Sequence, residues 1–203
     1  MSRAYARVGV VTGSRRGSAY RRPVPGREEI VALVDEHGTV TGQAPRPLVR
    51  RDNLRHAATA VLVRHPDGRI YVHRRSPDKD WCPSCHDAAA GGVLQHGERP
   101  EDSARRELEE ELGISGVPLR PLGTSLYEDD TTRCFEHCFE VTYDGVVTHA
   151  DGEVVWGDWM TLRELGRLLA DEAWPFVPDT RTLLTRLCRE RVGDYAALEA
   201  TGP

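Results

Sequence analysis

The chain has 203 residues, with 27 lysines and arginines against 32 aspartates and glutamates, and a formal net charge of −5. This length fits one domain of about 100–200 residues with short appendages. Hydrophobic residues make up 39% of the chain, which is enough to build a core, and no apolar run approaches the roughly 20 residues of a membrane span. We therefore expect no membrane contact, and the acidic balance argues against nucleic acid as a partner.

Residues 1–26 differ in composition from the rest, because they contain six arginines and no acidic residue. We predict a flexible basic extension there, with a nucleic-acid arm and a targeting peptide as the open alternatives. The apolar run at residues 8–11 is too short for a secretory signal. The prediction is a cytoplasmic protein with a folded domain at residues 27–192 and a C-terminal tail at residues 193–203.

Two β-hairpins are predicted after the extension. The first joins strands at residues 30–34 and 40–42 through the turn residues 35–38, and the second joins strands at 57–64 and 69–74 through residues 65–68.

A helix is predicted next, from about residue 100 to 112. Pro100 suits a first turn and Gly113 supplies a stop, while the glycines before the helix predict a tight loop. At about 100° per residue, Glu107, Glu110 and Glu111 share one stripe, and the adjoining stripe is apolar and packs inward. Carboxylates crowded on one turn repel each other, and a hard divalent cation would relieve that repulsion. We predict a Mg²⁺ site, with Mn²⁺ as a substitute; a solvated acidic helix is the alternative.

The remaining elements are short. Strands are predicted at residues 117–127, 133–144 and 154–159, followed by a helix over 162–169 with Thr161 as its cap, and by a last helix from about 179 to 190.

The segment from residue 92 to 114 fits the pattern G-x5-E-x7-R-E-U-x-E-E-x-G-U, in which U is aliphatic. Every fixed position is present: Gly92, Glu98, Arg106, Glu107, Leu108, Glu110, Glu111, Gly113 and Ile114. This pattern resembles the Nudix box. The resemblance implies an α/β fold, an α/β/α sandwich with a mixed central β-sheet, and a hydrolase that acts on acid anhydrides in phosphorus-containing compounds.

The resemblance also assigns roles to single residues. Water would attack a phosphorus of a nucleoside diphosphate linked to another group, a small-molecule partner, while Arg106 fixes one carboxylate by a salt bridge. Either Glu110 or the later Glu153 would act as general base; a surface role for Glu153 is the alternative. Hydrolases of this kind often form dimers, which leaves a homodimer open. The metal shell would be drawn from Gly92, through its carbonyl, and from Glu98, Glu107, Glu110 and Glu111.

Further residues resemble the branch that contains isopentenyl diphosphate isomerases and their hydrolase-like relatives, over roughly residues 28–180. The likeness lies in residues 56–60, 72–75, 79, 87 and 91–92. In that family an arginine and a lysine hold the diphosphate, and Arg75 and Lys79 match them; surface charge is the alternative reading. His56 is a candidate substrate or metal contact, with a structural histidine as the alternative.

Isomerase chemistry requires an acid and a base on opposite sides of the substrate. Gly91 stands where that family has its cysteine, Cys134 where it has a metal-binding glutamate, and Val49 where it has a histidine, so that only Glu136 matches. We therefore predict hydrolysis, with isomerisation as the first alternative. A non-catalytic nucleotide-binding sensor module is the second, and the complete box argues against it.

The cysteines form two compact clusters, Cys82-Cys85-His86 and Cys134-His137-Cys138. A structural zinc shared by them has the right ligand types. Strand alternation, however, places His137 opposite its two cysteines, and buried or loop thiols are the default prediction.

Overall fold

The computed structural model describes residues 29–149 and 151–199. The predicted basic extension and residues 200–203 lie outside the described residues. The described elements are, in chain order, β1 (Ile30–Val34), β2 (Val40–Pro45), α1 (Arg46–Arg51), β3 (His56–Arg64), β4 (Ile70–Arg75), β5 (His86–Asp87), β6 (Ala89–Val93), α2 (Pro100–Leu112), β7 (Arg120–Glu128), β8 (Arg133–Thr142), β9 (Val154–Met160), α3 (Leu162–Leu169), α4 (Pro178–Arg189) and a 3-10 helix (Tyr195–Leu198).

Strand β3 lies at the centre of a mixed sheet. It pairs in parallel with β8 along its whole length, from His56 opposite Cys134 to Arg64 opposite Thr142. On its other edge it pairs antiparallel with β6. Because both edges are occupied and both faces are covered, nearly the whole strand is buried and reads as a continuous apolar run.

The second predicted hairpin differs from the structure. Strands β3 and β4 share a single pair, Arg64 with Ile70, because β6 occupies the edge of β3 that a regular hairpin would need. Strand β4 instead pairs with β5 and with β9. Gly91 and Gly92 lie inside β6, and the predicted tight loop before the helix is formed at Gly97, whose φ is 82°.

Helices cover the two faces of the sheet, as the α/β/α sandwich predicts. Alternate residues of β3 point to opposite faces, so Leu62 packs with α3 and α4, whereas Val61 packs against Leu108 of α2. The predicted helix bounds agree closely with the structure. Helix α2 ends at Gly113, whose φ of 66° is left-handed, and Thr161 caps α3 by accepting a hydrogen bond from the Glu164 backbone amide.

The packed domain extends beyond the predicted boundary at residue 192. Tyr195 and Leu198 are buried against α3 and α4, and the Tyr195 hydroxyl donates to Glu140 at 2.6 Å. A short segment with two anchoring side chains carries little periodic signal, which is why the sequence predicted a tail there. None of the described helices combines the length and the apolar character needed to cross a bilayer.

Candidate active site

A cavity of about 830 Å³ opens between β3, β6, α2 and the loop after β4. Seven acidic and five basic side chains line it. A polyanionic substrate would be repelled by this balance unless a cation joined it. The sequence-predicted residues that line the cavity are His56, Arg75, Lys79, Gly92, Arg106, Glu107, Glu110 and Glu153.

Arg106 occupies the middle of the carboxylates of α2. Its Nε and Nη2 donate to the two oxygens of Glu98, at 3.0 and 3.1 Å. Its Nη1 contacts Glu107 at 2.5 Å and Glu110 at 3.4 Å. Arg106 therefore holds three carboxylates, where the sequence predicted that it would fix one.

Glu111 lies deeper than Glu107 and Glu110. It is fully buried, and it accepts hydrogen bonds from the Gly91 amide and from Lys79 Nζ, each at 3.2 Å. Lys79 also forms a close ion pair with Glu153. The lysine that was predicted to hold a substrate phosphate is thus already bound to two glutamates.

Burial controls the ionisation of these groups. It raises the pKa of Glu107 to about 7, although Arg106 opposes the shift, and it raises the pKa of Glu111 to about 8 against the opposing effect of Lys79. For Lys79 burial acts in the downward direction, but the carboxylates of Glu111 and Glu153 outweigh it and the pKa is raised. Arg106 and Lys79 therefore do not fully offset the effect of burial on Glu107 and Glu111.

The two glycines of β6 meet different atoms. A Cβ at Gly92 would lie 2.6 Å from Glu107 Oε1, so the absence of a side chain lets the strand approach that carboxylate. A Cβ at Gly91 would lie 1.9 Å from the backbone oxygen of Thr59 on β3. The position at which the isomerase branch has its cysteine therefore has no room for any side chain.

Arg75 and His56 also line the cavity. Arg75 Nη2 donates to the Trp81 carbonyl at 3.1 Å and Nη1 lies 3.8 Å from Asp87, while its buried Nε has no hydrogen-bond partner among the described residues. His56 Nδ1 lies 3.0 Å from the Leu54 carbonyl, and burial lowers the pKa of His56 to about 4. The neutral ring then donates through Nδ1, which leaves Nε2 as its acceptor.

Sequence reasoning missed several residues that line the cavity. Arg50 of α1 donates to Thr132 at 3.1 Å and lies 5.9 Å from the centre of the Trp81 ring. Asp179, at the start of α4, lies near Cys134 and Glu136. Helix α1 has too weak a periodic signal to reveal Arg50, and Asp179 marked only a predicted helix boundary.

The zinc hypothesis for the two cysteine clusters is corrected by this arrangement. Across residues 29–149 and 151–199, no group of three ligands draws on both clusters. Cys134 instead groups with Glu136 and Asp179, with ligand atoms all within 4.8 Å of one another. His137 faces the opposite side of β8, as strand alternation predicted.

Comparisons with known proteins agree with the fold and with the box. The NUDIX domain family matches residues 54–184. An uncharacterized Nudix hydrolase of Rhodococcus erythropolis is 43% identical over 171 residues, which cover 79% of this chain and 92% of the relative. One from Streptomyces coelicolor is 40% identical over 163 residues, covering 79% of this chain and 88% of the relative. The crystal structure of DR0079 from Deinococcus radiodurans superposes with a TM-score of 0.60 at 29% identity, over 71% of this chain and 90% of that one. The chain therefore belongs to the Nudix family, hydrolases that act on acid anhydrides in phosphorus-containing compounds.

Proposed function

We propose that this enzyme is a Mg²⁺-dependent hydrolase that cleaves the diphosphate linkage of a nucleoside diphosphate joined to another group. One observation carries the proposal: a single cavity brings Glu107 and Glu110 of α2 together with the cationic pair of Arg75 and Lys79. The acidic part suits a hard cation, and the basic part suits phosphate oxygens.

The donor chemistry at α2 fits Mg²⁺. Glu107 and Glu110 offer carboxylate oxygens beside Gly92, and burial raises the pKa of Glu107 to about 7, which a nearby cation would reverse. When bound, the cation supplies neutralisation of phosphate oxygens and acidification of water. Arg106 Nη1 now occupies the space beside Glu107 and Glu110, so it would release them on metal binding while its paired contacts keep Glu98 in place.

The chain's own cations bind and orient the substrate in this proposal. Arg75 Nε has no hydrogen-bond partner among the described residues, which supports a further hydrogen bond that a phosphate oxygen would accept. Lys79, fixed between Glu111 and Glu153, would turn toward the same phosphate, and His56 would offer a neutral ring to the substrate. Glu111 and Glu98 complete the proposed metal-binding set.

Two residues compete for the role of general base, the group that takes the proton from the attacking water. Glu110 lies on α2 beside Arg106, and Glu153 directly precedes β9 and pairs with Lys79. Both line the cavity. We propose Glu110 as the base, because its carboxylate lies on the stripe that would also hold the cation.

Isomerisation is not favoured, because Gly91 supplies no acid and its position admits no side chain. A sensor without catalysis is not favoured either, because the family is one of hydrolases.

The test is phosphate or nucleotide release with Mg²⁺ over nucleotide sugars, dinucleoside polyphosphates, oxidised nucleotides and dinucleotide cofactors. We expect Glu110→Gln to lower kcat by about 10²–10⁴-fold on the best substrate, the usual contribution of a general base, and Glu153→Gln to lower it by less than tenfold. Glu109→Gln is the matched control, since Glu109 is exposed on the same helix. A wild-type enzyme inactive on the whole panel contradicts the proposal, and the reverse ranking of the two variants moves the base to Glu153.

A further inference from the structure

Two cysteines in the loop between β4 and β5, which the proposed hydrolysis does not use, lie side by side. Cys82 and Cys85 are both free thiols, and both are partly exposed. The backbone amide of Cys85 donates to the carbonyl of Cys82 at 3.3 Å, which closes a β-turn over residues 82–85. The two side chains also hydrogen-bond to each other. The turn therefore presents a pair of adjacent thiols, which we call the loop dithiol.

The geometry of this turn suits a disulfide. The first and fourth Cα atoms of a β-turn lie less than about 7 Å apart, and a disulfide needs Cα atoms about 4.4–6.8 Å apart. Cys134 and Cys138 give the contrast, because four residues of a β-strand span about 13 Å and these two thiols cannot bridge. The two pairs have similar spacing along the chain, and the turn is what brings Cys82 and Cys85 together.

The backbone of the turn has a conformation that its residues rarely adopt. Pro83 occupies the second position, as in a type II turn, and Ser84 has a φ of 62° at the third, where glycine is usual. Cys82 also has a positive φ, of 46°. Non-glycine residues in the left-handed region cost free energy, and such strain is concentrated at functional sites, where the surrounding structure imposes it. A strained turn that holds two thiols in contact therefore indicates chemistry at those thiols.

Hydrogen bonds connect the turn to residues that line the cavity. The Cys85 carbonyl accepts from the Arg75 backbone amide at 2.9 Å, and the carbonyl of Trp81, directly before the turn, accepts from Arg75 Nη2 at 3.1 Å. Trp81 Nε1 donates to Thr131 at 3.0 Å, and both Trp81 and Arg75 line the cavity. A covalent change at the loop dithiol therefore acts directly beside Trp81 and Arg75.

We infer that the loop dithiol is a redox modification site, which a small disulfide of the glutathione class oxidises reversibly to a Cys82–Cys85 disulfide, and that this bond changes the environment of Trp81. In the first step, the Cys85 thiolate attacks one sulfur of the small disulfide, breaks its S–S bond and releases one thiolate. In the second step, Cys82 attacks the Cys85 sulfur of the mixed disulfide and releases the other thiolate. The two protons pass to the released thiolates, so two protein thiols are oxidised and one small disulfide is reduced to two thiols.

Cys85 is assigned the first step because Cys82 is held in its protonated form. Burial raises the pKa of Cys82 to about 12, and the charge and hydrogen bond of the neighbouring Cys85 add to the shift. The thiolate is the attacking species, so a thiol with this pKa reacts slowly with a disulfide in solution. Once Cys85 is in a mixed disulfide its charge is gone, and Cys82 attacks a sulfur that already lies beside it.

The experiment equilibrates the full chain with mixtures of reduced and oxidised glutathione, followed by acid quenching, alkylation and measurement of the intact mass. We expect the wild type to lose two hydrogens and two of its five alkylatable thiols, and to regain them in excess reduced glutathione. Peptide mapping should place the bond between Cys82 and Cys85. Cys188→Ser is the matched control, since Cys188 is likewise partly exposed, and it should oxidise like the wild type.

Single variants separate the two steps and locate the change in the loop. Cys82→Ser should stop at the mixed disulfide and retain one glutathione on Cys85. Cys85→Ser should react at least about tenfold more slowly, because the thiol that remains is the protonated one. Oxidation of the wild type should change its tryptophan fluorescence, and Trp81→Phe should lose most of that change while still forming the disulfide. Far-UV circular dichroism confirms that each variant is folded.

Four results would each overturn the inference: no loss of thiols in the wild type, a bond mapped to another pair, a faster reaction in Cys85→Ser than in Cys82→Ser, or a fluorescence change that Trp81→Phe keeps in full. None of these measurements requires substrate or Mg²⁺. A chain that is inactive on the whole substrate panel therefore contradicts the proposed function and leaves the disulfide result unchanged.

Discussion

The two ends of the cavity are both acidic, but their acidic side chains have different partners. At the α2 end, Arg106 and Lys79 form ion pairs with Glu98, Glu107 and Glu111. At the other end, Cys134, Glu136 and Asp179 form no recorded ion pair among the described residues, and the side chains of Glu136 and Asp179 hydrogen-bond to each other. Burial raises the pKa of acids at both ends. The difference teaches that carboxylates held by basic partners are prepared for exchange with a hard cation and an anionic substrate. Carboxyl groups that have only each other as partners favour a shared proton.

The largest expected effect is on kcat, which should fall much more for a substitution at the α2 end of the cavity than for one at the other end. Glu107→Gln removes an oxygen ligand beside Gly92 and should lower kcat by about 10³-fold, equivalent to about 4 kcal/mol. Glu136→Gln should lower kcat by less than about tenfold. The measurement is kcat at saturating substrate and Mg²⁺. Equal losses in the two variants would show that both ends take part in one reaction site.

The response of stability to acid tests a buried histidine of the sheet, His73. His73 of β4 lies opposite Asp87, is fully buried with neither ring nitrogen hydrogen-bonded among the described residues, and has a pKa lowered to about 3 by burial. The unfolded chain protonates this histidine near pH 6.5, so its contribution to stability is complete above that pH and is lost as pH falls toward 3. In the wild type, this histidine should lower the free energy of unfolding by about 3 kcal/mol between pH 7 and pH 4, and we expect His73→Leu to remove that decrease.

Urea unfolding at several pH values measures this effect. His96→Leu is the comparison variant, because His96 is exposed in the loop before α2. Parallel stability curves for wild type and His73→Leu would contradict the assignment.

Substitutions of the two glycines of β6 should have different effects, one on catalysis and the other on stability. In Gly92→Ala the new Cβ meets the carboxylate of Glu107, which can move, so kcat should fall by about 10²-fold with little change in Tm. In Gly91→Ala it meets the backbone of β3, which cannot move without disturbing the sheet, and unfolding should become easier by about 1–3 kcal/mol. Kinetics and thermal unfolding of both variants test the contrast, which fails if the two behave alike.

The smallest effect concerns substrate binding. Arg75→Lys keeps the charge but loses the planar set of donors, so we expect KM to rise about tenfold with kcat nearly unchanged. Arg74→Lys is the matched control, because Arg74 is the exposed neighbour on the same strand. An equal rise in KM for both variants would show that Arg75 makes no special contact with the substrate.

Much of the α2 end could be predicted because its residues are contiguous. Helical periodicity places Glu107 and Glu110 on one stripe whatever the rest of the chain does, and the pattern that begins at Gly92 marks the family. The pattern did not reveal that Glu111 would be buried under Lys79 and the Gly91 amide. That depends on the approach of β4 and β6, which no local signal describes.

Local sequence by itself determined helices α2, α3 and α4, most strands, and the family, because periodicity, caps and a contiguous motif act within a few residues of one another. Only the tertiary structure decided that β3 would pair with β6 and β8 instead of closing a hairpin with β4. It also decided that Asp179 would meet Cys134 and Glu136. Such contacts join distant parts of the chain, and their free energy comes from burying shared surface, which cannot be assigned to any one segment.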